Sequence, residues 1–283
     1  MLHAAPRALL RCPPAMSAFH DWAMHAATTR RAHEWSRPLR MATDCSGLGT
    51  PELAMRSLLQ CDVRGVPGVD VIWACDIDAA CRKWFAQHVK PQRLLADMCE
   101  RVFVPHGFVS RDIDGTAIFM RWAEADLDLY VVGFMCTPFS TKGPRLGFDA
   151  PAAKTFTNAV RTIIAVRPRA VVMENVVGIL QKDCIERVEA LLKKIPGYYY
   201  SRRVLNSCDF GLPQHRRRVY ITLLRKDSVE DPRRAVKELH HEDCNRLMRP
   251  CKTNFRDWLA ARGFPICPAA ASAGSTESSE GST

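Results

Sequence analysis

Four short stretches of this 283-residue sequence combine residue types and spacing suited to chemistry. The first is Asp44-Cys45-Ser46-Gly47-Leu48-Gly49, where paired glycines between a strand and a helix let the backbone approach a ligand at the helix N-terminus. The next apolar run ends in Asp76, with Ile77 and Asp78 beyond it. A carboxylate there either accepts the ribose hydroxyls of a nucleoside cofactor or caps the following helix. Asp97, followed by Met98 after a third short run, suits an adenine amino group. The turn has no Lys or Arg to meet phosphates, so an adenosyl ligand fits it better than a phosphate-rich one.

The second stretch is Met135-Cys136-Thr137-Pro138-Phe139-Ser140, directly after the apolar run LDLYVVGF. A cysteine at the carboxyl end of a buried strand lies at the reactive edge of such a sheet, where positive potential favours the nucleophilic thiolate. Most cysteines are inert core residues, so Cys136 needs support from its surroundings. The third is Glu174-Asn175-Val176, a carboxylate placed where an apolar run stops. The fourth is Gln214-His215-Arg216-Arg217-Arg218 before the strand-like VYITLL. It is either a solvated basic loop or a strand start whose alternation sets Gln214, Arg216 and Arg218 on one face.

The elements that must hold these residues alternate. A strand runs into Asp44, and a helix follows with Thr50 as N-cap, Pro51 at its first position and Glu52 in its first turn. Strands are expected at 69–75, 93–96, 127–134 and 170–173, and helices at 79–89 and 152–166. Ile185, Val188, Leu191, Leu192 and Ile195 recur at helical spacing, and 198–205 pairs with 218–224 as the last two strands. Residues 100–121 carry no readable period. The pattern predicts an α/β fold, a doubly wound Rossmann-like sheet with helices on both faces and its ligand at the carboxyl ends of the strands.

Cys-x-Pro-Phe-Ser at 136–140, Glu-Asn-Val at 174–176 and Gln-x-Arg-x-Arg at 214–218, in this order, resemble the cytosine-5 DNA methyltransferases. The resemblance runs from about 41 to 224. It implies a class I S-adenosylmethionine-dependent methyltransferase sheet, with Cys45, Gly47, Leu48, Gly49, Asp76, Ile77, Asp97 and Met98 around S-adenosylmethionine. It implies that Cys136 attacks C6 of cytosine, that Glu174 holds the N3 and amino edge, and that Arg218, with Arg216 beside it, holds the base carbonyl. Thr137, Ser140, Asn175 and Gln214 then line the substrate side. The sequence departs from the family pattern at four places. Cys45 stands where an aromatic residue is usual, and Asp44 lies one place nearer the glycine than the family's acid. Met135 replaces a proline and Thr137 a glutamine.

Composition sets the partners. The net charge of +10 favours a polyanion, which the resemblance makes DNA, with RNA as the alternative. No apolar run is long enough for a membrane span. The twelve cysteines contain no CxxC pair, so neither a disulfide framework nor a metal site is expected. His240, His241, Cys244 and Cys251 are spaced too irregularly for zinc. Residues 1–38 form an Ala- and Arg-rich leader, disordered or a transit peptide. Residues 39–226 are the expected catalytic domain, 227–267 a short segment of unassigned role and 268–283 a disordered tail. The family's target-recognition region and closing motif have no evident counterpart after Leu224. The expectation is weak, salt-dependent DNA binding unless a partner chain supplies that surface. DNA chemistry favours the nucleus, while the leader favours a mitochondrion or plastid. A catalytically idle nucleic-acid-binding relative is the competing reading, and the intact Cys136, Glu174 and Arg218 argue against it.

Overall fold

The computed structural model describes residues 36–60, 66–136, 153–248, 250–252 and 257. Its main sheet has seven strands in the order β3-β2-β1-β7-β8-β10-β9. The chain enters through β1 (Leu39–Asp44), α1 (Thr50–Gln60), β2 (Val69–Cys75), α2 (Ala79–His88) and β3 (Arg93–Leu95). After an excursion it returns through β7 (Leu129–Val132), α3 (Lys154–Val166), β8 (Ala170–Val176) and α4 (Lys182–Lys193). The strands β3, β2, β1, β7 and β8 are parallel, and the sheet closes with the hairpin β9 (Tyr198–Asn206) and β10 (Arg217–Arg225). In that hairpin β10 runs antiparallel to both β8 and β9.

Strand alternation explains why helices cover both faces. Met41 enters one apolar cluster with Phe85 and Val89, while its neighbour Ala42 enters another with Phe156, Ile163, Val188 and Leu192. Leu129 and Val131 divide from Tyr130 and Val132 in the same way. The doubly wound α/β architecture expected from the sequence is therefore present. Several elements are shorter than the apolar runs suggest. The strand expected over 127–134 pairs only at Leu129–Val132, although Leu127 and Phe134 are buried on either side of it. Ile195 lies past the end of α4 and is still buried.

The excursion at 100–121 is a separate three-stranded antiparallel sheet, β4 (Val102–Val104), β5 (Gly107–Arg111) and β6 (Ala117–Arg121). One face buries Phe108 against Trp73, with ring centroids 5.5 Å apart. Just before β4, the fully buried Arg101 donates to both oxygens of Asp44 at 2.8 and 2.9 Å and to Thr162 Oγ1 at 2.9 Å. Asp44 also accepts from Tyr130 Oη at 2.6 Å and Trp73 Nε1 at 3.0 Å. The guanidinium lies 4.8 Å from the Phe108 ring centroid. Asp44, displaced from the family's place for an acid, is thus a structural hub that ties β1, β2, β7 and α3 to the excursion.

Arg37 pairs with Asp128 at 2.6 Å, so the fold is anchored ahead of residue 39. Residues 1–35 and 258–283, with the leader and tail expectations that rest on them, lie outside the described residues. The segment after 226 begins as part of the same body. In α5 (Pro232–Glu238) Pro232 and Val236 are buried. A π-helical turn then carries His240 inward, and α6 (Cys244–Leu247) follows. Both His240 nitrogens are engaged, Nε2 with Thr222 Oγ1 at 2.9 Å and Nδ1 with Ser201 Oγ at 3.1 Å. Among the described residues, no helix is long and apolar enough to cross a membrane.

Candidate active site

Strand order reverses between β1 and β7, the place where doubly wound sheets open a crevice at their carboxyl edge. The turn after β1 lines one side of it and the turn after β7 the other. In the first turn Cys45, Gly47 and Gly49 all take left-handed conformations, with φ of 52°, 54° and 69°. At Gly49 a Cβ would come within 3.1 Å of Phe85 and 3.2 Å of Trp84 and Val89, so a side chain there would be crowded as well as strained by the positive φ.

Asp76 Oδ2 accepts from Gly47 N at 2.7 Å, and Oδ1 accepts from Asp78 N at 2.9 Å. Of the two readings of Asp76, the helix cap belongs instead to Asp78, which accepts from Ala80 N and Cys81 N at 2.7 and 3.0 Å. Asp97 Oδ1 accepts from Cys99 N at 2.7 Å. Leu48 and Ile77 flank this carboxylate-lined turn with 58% and 71% of their surfaces exposed. Apolar surface beside carboxylates that retain free lone pairs fits an adenosyl group, which brings a flat ring and a diol. Met98 is buried, its sulfur 3.7 Å from Cys45 Sγ, so it offers a ligand backbone atoms rather than its side chain. Burial, with Asp44 and Asp76 nearby, pushes the Cys45 thiol far up, which keeps it from acting as a nucleophile.

Across the crevice, Cys136 is exposed and free. The segment leading to it is held from two sides. The buried Asn175 donates from Nδ2 to Phe134 O at 2.8 Å, and Met135 N donates to Thr155 Oγ1 at 3.2 Å. Thr137 and Ser140, expected on the substrate side, lie outside the described residues. Glu174 forms an ion pair with Arg218 Nε at 2.9 Å, both side chains partly exposed. The β8–β10 register accounts for it: Glu174 faces Tyr220, and Arg218 lies two residues along on the same face. Gly133 joins the halves, since a Cβ there would sit 3.7 Å from Glu174 Oε2 and 3.8 Å from Cys45 O.

Gln214 and Arg216 precede β10, which begins at Arg217, and the charges of Arg216 and Arg218 both act on Tyr220. Backbone atoms of Gln214 and Arg216 meet the end of β9: Arg216 N donates to Asn206 Oδ1 at 2.9 Å and Gln214 O accepts from Ser207 Oγ. Sequence reasoning missed Arg101, whose charge in an unpatterned stretch reads as surface, and Glu52, which reads as an ordinary first-turn acid.

Residues 45–261 match the family of C-5 cytosine-specific DNA methylases. The chain is 32% identical over 160 residues to the type II methyltransferase M.NlaIV of Neisseria lactamica, covering 50% of this chain and 34% of that protein. It is 32% identical over 155 residues to M.NgoBV of Neisseria gonorrhoeae, with the same coverage. The matches therefore span about a third of the length of these relatives. The crystal structure of the S. pombe Dnmt2 methyltransferase aligns with a TM-score of 0.47 at 19% identity, over 69% of this chain and 52% of that one.

Proposed function

Because the chain belongs to the C-5 cytosine-specific DNA methylase family, we propose that it transfers a methyl group from S-adenosylmethionine to C5 of cytosine in DNA, with Cys136 as nucleophile. The observation that carries this reading is the Glu174–Arg218 pair at 2.9 Å beside the glycine that precedes Cys136. Bound S-adenosylmethionine supplies the methyl group. Asp76 receives the ribose hydroxyls, Asp97 the adenine edge, and Leu48 and Ile77 cover the ring.

Cytosine C5 is a poor nucleophile until a thiolate adds beside it. In the proposed reaction Cys136 Sγ forms a bond to C6, and the electron pair of the C5–C6 double bond becomes available at C5. Glu174 holds the N3 and amino edge, where charge changes as the adduct forms, and Arg218 holds the base carbonyl. The electron pair at C5 would take the methyl group as the methyl–sulfur bond breaks and S-adenosylhomocysteine leaves, and a base would then remove the C5 proton. Its electron pair restores the double bond and expels the Cys136 thiolate. The target base must leave the duplex stack, at a cost of a few kcal/mol that the basic surface helps to offset. Arg216 and Gln214 are assigned to the substrate side through the loop before β10, and Thr137 and Ser140 to contacts with the substrate. Asn175, expected there too, is instead buried with its amide spent on Phe134 O and Val176 N, so it supports the segment that carries Cys136 and does not line the substrate. The nucleus is the proposed compartment, on the ground that the proposed substrate is DNA, and imaging of the tagged chain checks it.

The test is incubation of the chain with duplex DNA and with RNA in the presence of methyl-labelled S-adenosylmethionine. The proposal expects 5-methylcytosine in DNA. Label confined to RNA, or none with cofactor bound, contradicts it.

A further inference from the structure

Glu52 is a fully buried acid at the start of α1, and one of its carboxyl oxygens, Oε2, has no hydrogen-bond partner among the described residues. Its other oxygen accepts from the hydroxyl of Thr43, the penultimate residue of β1. Thr43 Oγ1 is in turn 2.7 Å from Ser46 Oγ. Ser46 then reaches the end of β2: its hydroxyl lies 3.1 Å from Cys75 O and accepts from Cys75 N at 3.1 Å. Its backbone N donates to Cys75 O at 3.1 Å, and its carbonyl accepts from Gly49 N at 3.0 Å.

Ser46 is therefore the fixed residue between Cys45 and Gly47, both left-handed. The glycines adopt this conformation freely, but at Cys45 it is strained, so something around the turn must hold that residue. Asp76 grips the turn from the solvent side through Gly47 N, and the relay from Glu52 grips it from beneath. A carboxyl left with an unpaired oxygen in the interior works against stability, since burial disfavours its charge, and burial does raise its pKa. Apolar residues fill such places more cheaply unless the carboxyl has a task.

We propose that Glu52 is a positioning residue for the cofactor, acting through the Thr43 and Ser46 hydroxyls to keep the Cys45–Gly49 turn in its binding shape. The inference rests on the methyltransferase reading above. Glu52 touches no reacting atom. Its effect falls on cofactor affinity and leaves the chemistry at Cys136 unchanged.

The experiment compares wild type, Glu52→Leu, Glu52→Gln and Thr43→Val by calorimetric titration with S-adenosylhomocysteine, alongside circular dichroism and KM and kcat for S-adenosylmethionine. Glu52→Gln keeps an acceptor for Thr43 and should bind within about twofold of wild type, whereas Glu52→Leu should bind about tenfold more weakly, as when a buried polar partner is removed. Thr43→Val is isosteric and breaks the same relay. It should weaken binding and raise KM with kcat unchanged, and it decides the matter if Glu52→Leu fails to fold. Folded Thr43→Val and Glu52→Leu proteins with wild-type affinity overturn the inference alone. A wild-type chain that binds no S-adenosylhomocysteine overturns the methyltransferase reading, and this inference with it.

Discussion

Asp76 serves two purposes, accepting from Gly47 N while presenting its remaining lone pairs to the crevice. Asp76→Ala should therefore weaken S-adenosylmethionine binding by about 1–3 kcal/mol, the usual cost of leaving polar partners unmatched. Calorimetry that finds the affinity unchanged would strip Asp76 of its cofactor role. Gly49→Ala should weaken binding as well, because its φ of 69° strains any side chain and a Cβ would crowd the rings of Phe85 and Trp84. Much of this was readable in advance from residue type: a glycine pair, acids at strand ends, and a cysteine, a glutamate and an arginine in a set order. What was not readable depends on pairings across the chain. Nothing near Asp44 in sequence says that Arg101, 57 positions away, neutralises it. Nor does a first-turn glutamate announce that its carboxyl turns inward to Thr43.

Among the elements, those with a sustained period were legible because packing on one face enforces that period. Strands β9 and β10 lie within a residue of their expected bounds, and α4 contains Ile185, Val188, Leu191 and Leu192 of the expected helical pattern. Strands β4, β5 and β6 were not legible, for two physical reasons. They are three to five residues long, and their outer face leaves Val102 and Phe119 exposed, which erases the contrast between apolar and polar positions. The Asp44–Arg101 pair fastens that small sheet to the main one, so Arg101→Met should destabilise the fold by about 3–5 kcal/mol in urea titration, because it leaves a buried carboxylate unpaired. A loss below about 1 kcal/mol would show that Asp44 finds water or other donors. The docking of α5 and its π-helical turn carries a pH signature. Burial lowers the pKa of His240 from 6.5 to about 4, so the unfolded chain binds a proton that the folded chain refuses between those values. Stability from this group is full above pH 6.5 and declines as pH falls toward 4. Melting curves of His240→Gln should show a shallower decline across that window than wild type, and equal slopes would remove His240 from the account.

At the scale of the whole molecule, a net charge of +10 accompanies a sheet whose strand order reverses between β1 and β7, the edge at which the proposed reaction takes place. Phosphate contacts release counterions, so duplex affinity should fall at least about tenfold between 50 and 200 mM salt. A flat salt dependence would mean that the basic surface does not meet the backbone. The sheet brings S-adenosylmethionine, Cys136 and the Glu174–Arg218 pair to that edge in the proposed reaction, and the sulfur–C6 bond is the step from which the rest follows. The most direct measurement is to incubate the chain with S-adenosylmethionine and a duplex containing 5-fluorocytosine, whose fluorine blocks the release of the adduct, and to resolve the product on a denaturing gel. The account predicts a protein–DNA band that needs the cofactor, maps by mass spectrometry to Cys136 and is absent from Cys136→Ser. A band that persists in the serine variant, or wild-type protein that binds cofactor and duplex yet forms no adduct, would contradict it.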